Sequence, residues 1–587
     1  MAGKSLTFEE IKDFSPGIAD TVSPNHPPGQ AQQANTYRCY SIPGGALAPL
    51  PKCTKQITHD SPVVANRLSE EVRIIGLHTN SPVFYAPEQN SGIYQDNTEI
   101  YICMEWYEDD GEIYYEVDRY KNNYSITPVW EQIWKDNYTS AYSATARPHT
   151  ASFITQRTNS QYTRNVLESL SGVGDTYDGG LLAGPVVVAW VVDGYAQFFP
   201  DDTNLTVNAS RYMPGDRSDP SNPGGLCSPD ALVGHQLRAV IFPLTLSPIG
   251  VNQIIPTNES MLWTATNNLT KIGSYYYDVS TTAASTNYFN ILGGSDKPSR
   301  YECMESLTAD ELLLIKSYGG AMMIRGSLND PTVVNLPYVH SAGFSMNRGC
   351  VSPKGFIYPV DGGGLWLWEG GDVSSHITPQ MNSDFWRPAP YAPAGTTTEN
   401  GWGYAGTTCA LWDQWVLLPN NYLWDSETNG LWRIDDTSTV IMHRWAVDWR
   451  GLYAYGAPTG FIDENDTAIY GYNRLTPTDS FSWQSHPMPF SIEQEVTLRQ
   501  AVIVATGSGT VAITVTSAED TTGQTATVTL DSTADPCVRT IDLDVQGSHI
   551  VVRVVSMGED TDTPAPTIHS IRLGHIPHST FSKGDVV

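Results

Sequence analysis

The feature that most constrains this chain is a recurrence of short apolar runs, each closed by Gly, Asp, Asn or Pro. GPVVVAWVVDGYAQFFP at 184–200, ELLLIKSYGGAMMIRGS at 311–327 and GFIYPVDGGGLWLWEGG at 355–371 share one form, as does DQWVLLPNNYLWDSETNGLWRID at 413–435. The runs are of strand length, whereas a stable helix needs roughly 10–12 residues of sustained periodicity. Between them stand Glu108-Asp109-Asp110-Gly111, Asp193-Gly194 and Asn429-Gly430, which read as hairpin turns because Gly and Asn tolerate positive φ. Helical periodicity is confined to RNVLESLSG at 164–172 and SLTADELLLIKS at 306–317, and the second reads equally as a cap followed by a strand. Charged residues make up only 16 % and aromatics 11 %. That balance suits sheets, since helical surfaces call for more Lys, Glu and Arg. The fold class is therefore expected to be all-β.

Repeated hairpins that place an aromatic after each turn predict the blades of a β-propeller. At about 40–50 residues per blade, with long loops allowed for, residues 36–486 predict about seven or eight. Eleven of the 16 tryptophans fall between Trp366 and Trp483, where large rings would wedge between neighbouring sheets or line a sugar-binding groove. At Pro487-Met488-Pro489 the texture changes to strict alternation, in VTLRQAVIVAT (496–506), GTVAITVTS (509–517), ATVTL, RTIDLDV, HIVVRVVS and TIHSIRL. Six period-two segments predict a C-terminal antiparallel β-sandwich over 487–587. Residues 1–35 read as an arm, ending in the Pro- and Gln-rich SPNHPPGQAQQAN. Its apolar cluster of Phe14, Pro16, Gly17 and Ile18 is the candidate binding site, either for docking on a neighbouring subunit or for packing on its own domain.

The net charge of −30 argues against sequence-specific nucleic-acid binding and leaves room for a surface past which DNA slides without sticking. None of the eight cysteines forms a C-x-x-C pair, so no zinc site is expected. Cys39 and Cys53 flank a turn and could pair, but buried free thiols made in a reducing cytoplasm are the expected state. The opening MAGKSLTFEEIKDFSPG has no apolar core of a secretory signal, and no run is long enough to span a membrane. Gly401, Gly403 and Gly406 spell G-x-G-x-x-G, but a strand-like segment follows where a dinucleotide loop needs a helix. His376 and His443 are expected to be structural, and Asp463-Glu464-Asn465-Asp466 reads as a solvated turn. A glycosidase needs two facing carboxylates. Asp361, Asp425 and Asp448 could line a central funnel, though nothing in the sequence makes them converge. The chain is therefore expected to be no enzyme, with no cofactor and no metal.

Two segments carry a family resemblance. Phe14-Ser15-Pro16-Gly17-Ile18 resembles the opening common in tail proteins of tailed bacteriophages. GCVSPKGFIYPVDGGGLWLWEGGDVSSHITP at 349–379 is similar to a propeller segment of phage tail-nozzle proteins, with Gly370, Val373 and Ile377 fitting its G-x-x-V-x-x-I tail. SYGGAMMIRGSLND at 317–330 resembles the preceding blade. The resemblance implies a virion tail component, nozzle or minor tail protein, made in the host cytoplasm. It would assemble as a ring of copies, a hexamer, beside neighbouring tail proteins, serving DNA passage and host attachment. The alternatives are a host-glycan binding module or a propeller glycosidase of the tail.

Overall fold

The computed structural model describes residues 6–20, 26–59, 73–80, 99–107, 113–121, 129–138, 151–157, 186–192, 195–199, 227–236, 238–246, 260–263, 288–290, 301–316, 319–328, 330–342, 349–360, 364–381, 409–435, 440, 442–448, 450–458, 468–489 and 495–577. The turns at 108–111 and 193–194, the segment 164–172, Asp361, Gly401, Gly403, Gly406 and the cluster 463–466 lie outside them.

The described residues are all-β. Seven antiparallel sheets follow one another along the chain, six of four strands and one of three. Their first strands are Arg73–Asn80, Ala151–Arg157, Cys227–His235, Tyr301–Thr308, Cys350–Ser352, Ala410–Trp412 and Met442–Val447. Each touches the next, and the last touches the first, so the sheets close into a ring in a β-propeller arrangement. The seventh sheet takes its outer strand from far upstream, where Pro51–Thr58 runs antiparallel to Ala468–Pro477.

Radial packing explains the continuous apolar runs. In the fourth sheet, Leu312 to Ile315 and Ala321 to Ile324 are all buried, because both faces of the sheet meet a neighbour. SLTADELLLIKS is a hairpin: Tyr301–Thr308 pairs with Glu311–Lys316. Trp412, Trp424, Trp432 and Trp483 are fully buried, which assigns them to packing.

The second unit is a nine-stranded sheet. Its centre is Val496–Ser517, 22 residues long, paired along its length with the 24-residue Gln524–Gly547. On its other side the first half pairs with Thr567–Pro577 and the second half with His549–Met557. The expected segments 496–506 and 509–517 are thus one strand, and 526–530 and 539–545 belong to another. Gly507 (φ 111°) and Gly509 (φ 137°) mark the changeover. A Cβ on Gly509 would sit 2.1 Å from the Met557 carbonyl oxygen, so a side chain there would break the bend. Leu498, Ile503, Val511, Val515, Val552 and Leu573 share one core across both halves.

The divisions expected at 35 and 487 do not follow these sheets. Thr7–Ile11 pairs with Thr567–Pro577, and Cys39–Ser41, Leu47–Pro49 and Ser480–Gln484 also belong to the nine-stranded sheet. Its core continues into the ring through Trp412, Leu423 and Trp432. Cys39 and Cys53 are both free thiols, the first donating to the Ser482 carbonyl at 3.4 Å.

Candidate functional site: an aromatic platform and the docked arm

Phe14, Pro16, Gly17 and Ile18 are used within this chain. Phe14 and Ile18 are fully buried, with the Phe14 ring edge-on to Trp483 at 5.1 Å. The Phe14 amide donates to the Gly45 carbonyl at 3.0 Å. Gly17 has φ 69°, and a Cβ on it would lie 2.6 Å from the Leu431 amide nitrogen. Only glycine passes there. Of the two uses expected for this cluster, these contacts are those of packing on its own domain, with Phe14 and Ile18 buried in its core.

The carboxylates considered for catalysis close turns. Asp425 is buried; its Oδ1 accepts the Glu427 amide and its Oδ2 the Thr428 hydroxyl, each at 2.9 Å. Burial raises its pKa, and those hydrogen bonds counter the rise. Asn429 in the same loop takes φ 60° as its Asn-Gly context predicts, but the loop spans the five residues 426–430 and is no two-residue turn. Asp448 Oδ1 accepts the Tyr453 amide at 3.0 Å. The two acids belong to different sheets and are consumed locally.

A third acidic group lies in the first sheet. The buried Arg119 guanidinium meets Glu99 at 3.4 Å and Glu131 at 2.5 Å, and Tyr101 donates to Glu99 at 2.7 Å. Burial alone would lower the Arg119 pKa; Glu99, Tyr101 and Glu131 outweigh it and hold it above the usual value. With the buried Arg119 cation held between them, these carboxylates form a structural clamp within the first sheet. Among the described residues no group of three or more His, Cys, Asp or Glu side chains could hold a metal ion.

The surface offers a different arrangement. Tyr338 and Val373, 74 % and 61 % exposed, are joined by a parallel bridge between the segment that leaves the fourth sheet and the outer part of the fifth. Beside them three rings stack: His340 on Trp366 at 3.9 Å, and His376 on Trp366 at 5.2 Å with planes 10° apart. Trp366 lies on the third strand of the fifth sheet, directly opposite His376 on the fourth.

The stack is held by a closed circuit of hydrogen bonds that includes Tyr358, the cross-strand neighbour of Trp366. The His340 amide donates to Ser374 Oγ at 2.8 Å, Tyr358 Oη donates to the His340 carbonyl at 2.8 Å, and Ser374 Oγ and Tyr358 Oη lie 3.0 Å apart. Burial raises the Tyr358 pKa, so its hydroxyl keeps its proton at neutral pH. Both backbone groups of His340 are thus clamped, which fixes its ring over Trp366. Burial, and then the nearby His340, lower the His376 pKa and favour its neutral form. His376 is exposed and stacked rather than a core residue. Tyr338, His340 and Ser374 escaped the sequence reading, because their neighbours come from two different sheets.

No protein-family model and no curated protein matches the chain. Solved structures do. An exo-β-1,3-galactanase from Phanerochaete chrysosporium with galactose aligns at TM-score 0.21 and 8 % identity, over 96 % of this chain and 100 % of that one. A glycoside hydrolase family 43 arabinoxylan arabinofuranohydrolase from Bacillus subtilis, in complex with cellotetraose, aligns at TM-score 0.26 and 10 % identity, over 88 % and 97 %. Superpositions this loose place no catalytic residue in this chain. The expectation that the chain is no enzyme stands against matches that are glycoside hydrolases and is not carried further; similarity this loose decides no activity in either direction.

Proposed function

We propose that this protein is a glycan-binding β-propeller, with the platform around Tyr338, Trp366 and His376 as its binding surface and a bacteriophage tail as its setting. The carrying observation is the platform itself: an exposed tyrosine and a preformed three-ring stack on a rigid blade edge. Aromatic faces bind the apolar faces of sugars, and Tyr and His add a polar rim. Preorganisation by Tyr358 and Ser374 lowers the ordering cost of binding. The segment 349–379, which carries the resemblance to tail-nozzle proteins, supplies Trp366, Val373 and His376. We read the seven closed sheets as a seven-bladed propeller, and the bent nine-stranded sheet as a sandwich that clasps its edge.

The test is binding of the full-length chain to a glycan array and to isolated host cell walls. Tyr338→Ala should weaken binding about five-fold, as expected for losing one aromatic contact of about 1 kcal/mol. Unchanged binding in that variant would remove the platform. If the same face is instead a seam between copies, Tyr338→Ala will alter the oligomeric state and leave glycan binding untouched. Incubating the bound polysaccharide and measuring reducing ends determines whether binding leads to cleavage.

A further inference from the structure

The segments that build the platform carry charge of one sign. Across residues 337–342, 355–360 and 364–376 the acidic and basic side chains, imidazoles aside, are Glu369 and Asp372. Both are exposed on the turn that leads from Trp366 to His376. A Cβ added at Gly370 or Gly371 between them would meet no atom within 4 Å, so the outer side of this turn is open, while its Gly371 carbonyl accepts Trp368 Nε1 at 2.6 Å. Lys354, the adjacent cation, is engaged with the sixth sheet: its Nζ donates to Asn429 Oδ1 at 2.7 Å and lies 5.7 Å from the Trp424 ring.

An anionic polysaccharide needs Arg or Lys to replace the hydration of its carboxylates, phosphates or sulfates. Here it would meet two carboxylates on a chain of net charge −30. An uncharged sugar loses nothing by that encounter. We infer that the platform takes an uncharged polysaccharide and that Glu369 and Asp372 set this specificity by repelling polyanionic ones. The inference rests on the glycan-binding reading and names the ligand class for it. Discrimination by a repulsive element is a common route to specificity. Two like charges about 6 Å from a bound anion, in water, weaken binding about ten-fold at low salt.

The experiment compares full-length wild type with the double variant Glu369→Lys/Asp372→Lys, using two probes of matched length. One is an uncharged β-glucan and the other polygalacturonate. Wild type should bind the glucan with little salt dependence and polygalacturonate at least ten-fold more weakly. The double variant should keep its glucan affinity and gain at least ten-fold for polygalacturonate, and 0.5 M salt should erase the gain. Wild type binding both probes equally, or no gain on charge reversal, overturns the specificity while glycan binding stands. Binding to neither probe, or glucan binding that survives Tyr338→Ala, overturns the glycan-binding reading and the specificity with it.

Discussion

His443 gives this protein a calculable sensitivity to acid. It lies buried in the first strand of the seventh sheet, and burial, helped by the adjacent Arg444, depresses its pKa to about 3. The ordinary value is 6.5. Because the folded pKa is lowered, the folded chain refuses a proton that the unfolded chain accepts. Stability is therefore full above pH 6.5 and falls as the pH drops from there toward 3. At about 1.4 kcal/mol per unit, moving from pH 7 to pH 5 costs about 2 kcal/mol through this one side chain. The perturbation is His443→Gln, which keeps a neutral polar group and abolishes the titration. Urea unfolding of both proteins at pH 7 and pH 5 isolates the effect, since every other titrating group is common to the two. Wild type should lose about 2 kcal/mol more than the variant over that interval. Parallel losses would show that His443 takes up its proton in the folded state, and the reasoning from burial would fail.

Three further outcomes follow from the packing. Arg119→Met leaves Glu99 buried without its cation and should destabilise by about 3–5 kcal/mol; Glu99→Gln in the same chain should recover part of it, read by thermal unfolding. Phe14→Ala empties a fully buried site beside Trp483 and should cost about 3–5 kcal/mol, with faster proteolysis in the first 30 residues as the local sign of arm release. Tyr358→Phe removes the hydroxyl between His340 and Ser374 and should cost about 1 kcal/mol, while weakening glycan binding because His340 is no longer held over Trp366.

What the sequence discloses is local. Apolar runs such as ELLLIK and GFIYPV announce strands because both faces are buried, and the alternation in VAITVTS announces a sheet with one wet face. Gly507 and Gly509 looked like the end of a strand because glycine usually punctuates one; in the structure they let a single strand turn a corner without leaving the sheet. Partners distant along the chain leave no such mark. Nothing in PKCTKQIT says that it pairs with AIYGYNRLTP, and nothing in Phe14 says that Trp483 waits for it. The platform was hidden for the same reason. In GLWLW the two tryptophans look equivalent, yet Trp368 is buried and Trp366 only partly so, with His340 from the neighbouring sheet's trailing segment stacked on it.

The strand Pro51–Thr58 finds its partner only when Ala468–Pro477 has been made, about 400 residues later. At about 5–20 residues per second, a ribosome needs some tens of seconds to deliver that partner. Through that interval the early sheets exist as an open arc with an unsealed flank, and the N-terminal strand is an unsatisfied edge of the kind that pairs promiscuously. Maturation of this protein is thus a race between its own tail end emerging and a wrong neighbour arriving. Truncated chains lacking the last sheets should accumulate as aggregates rather than as smaller rings.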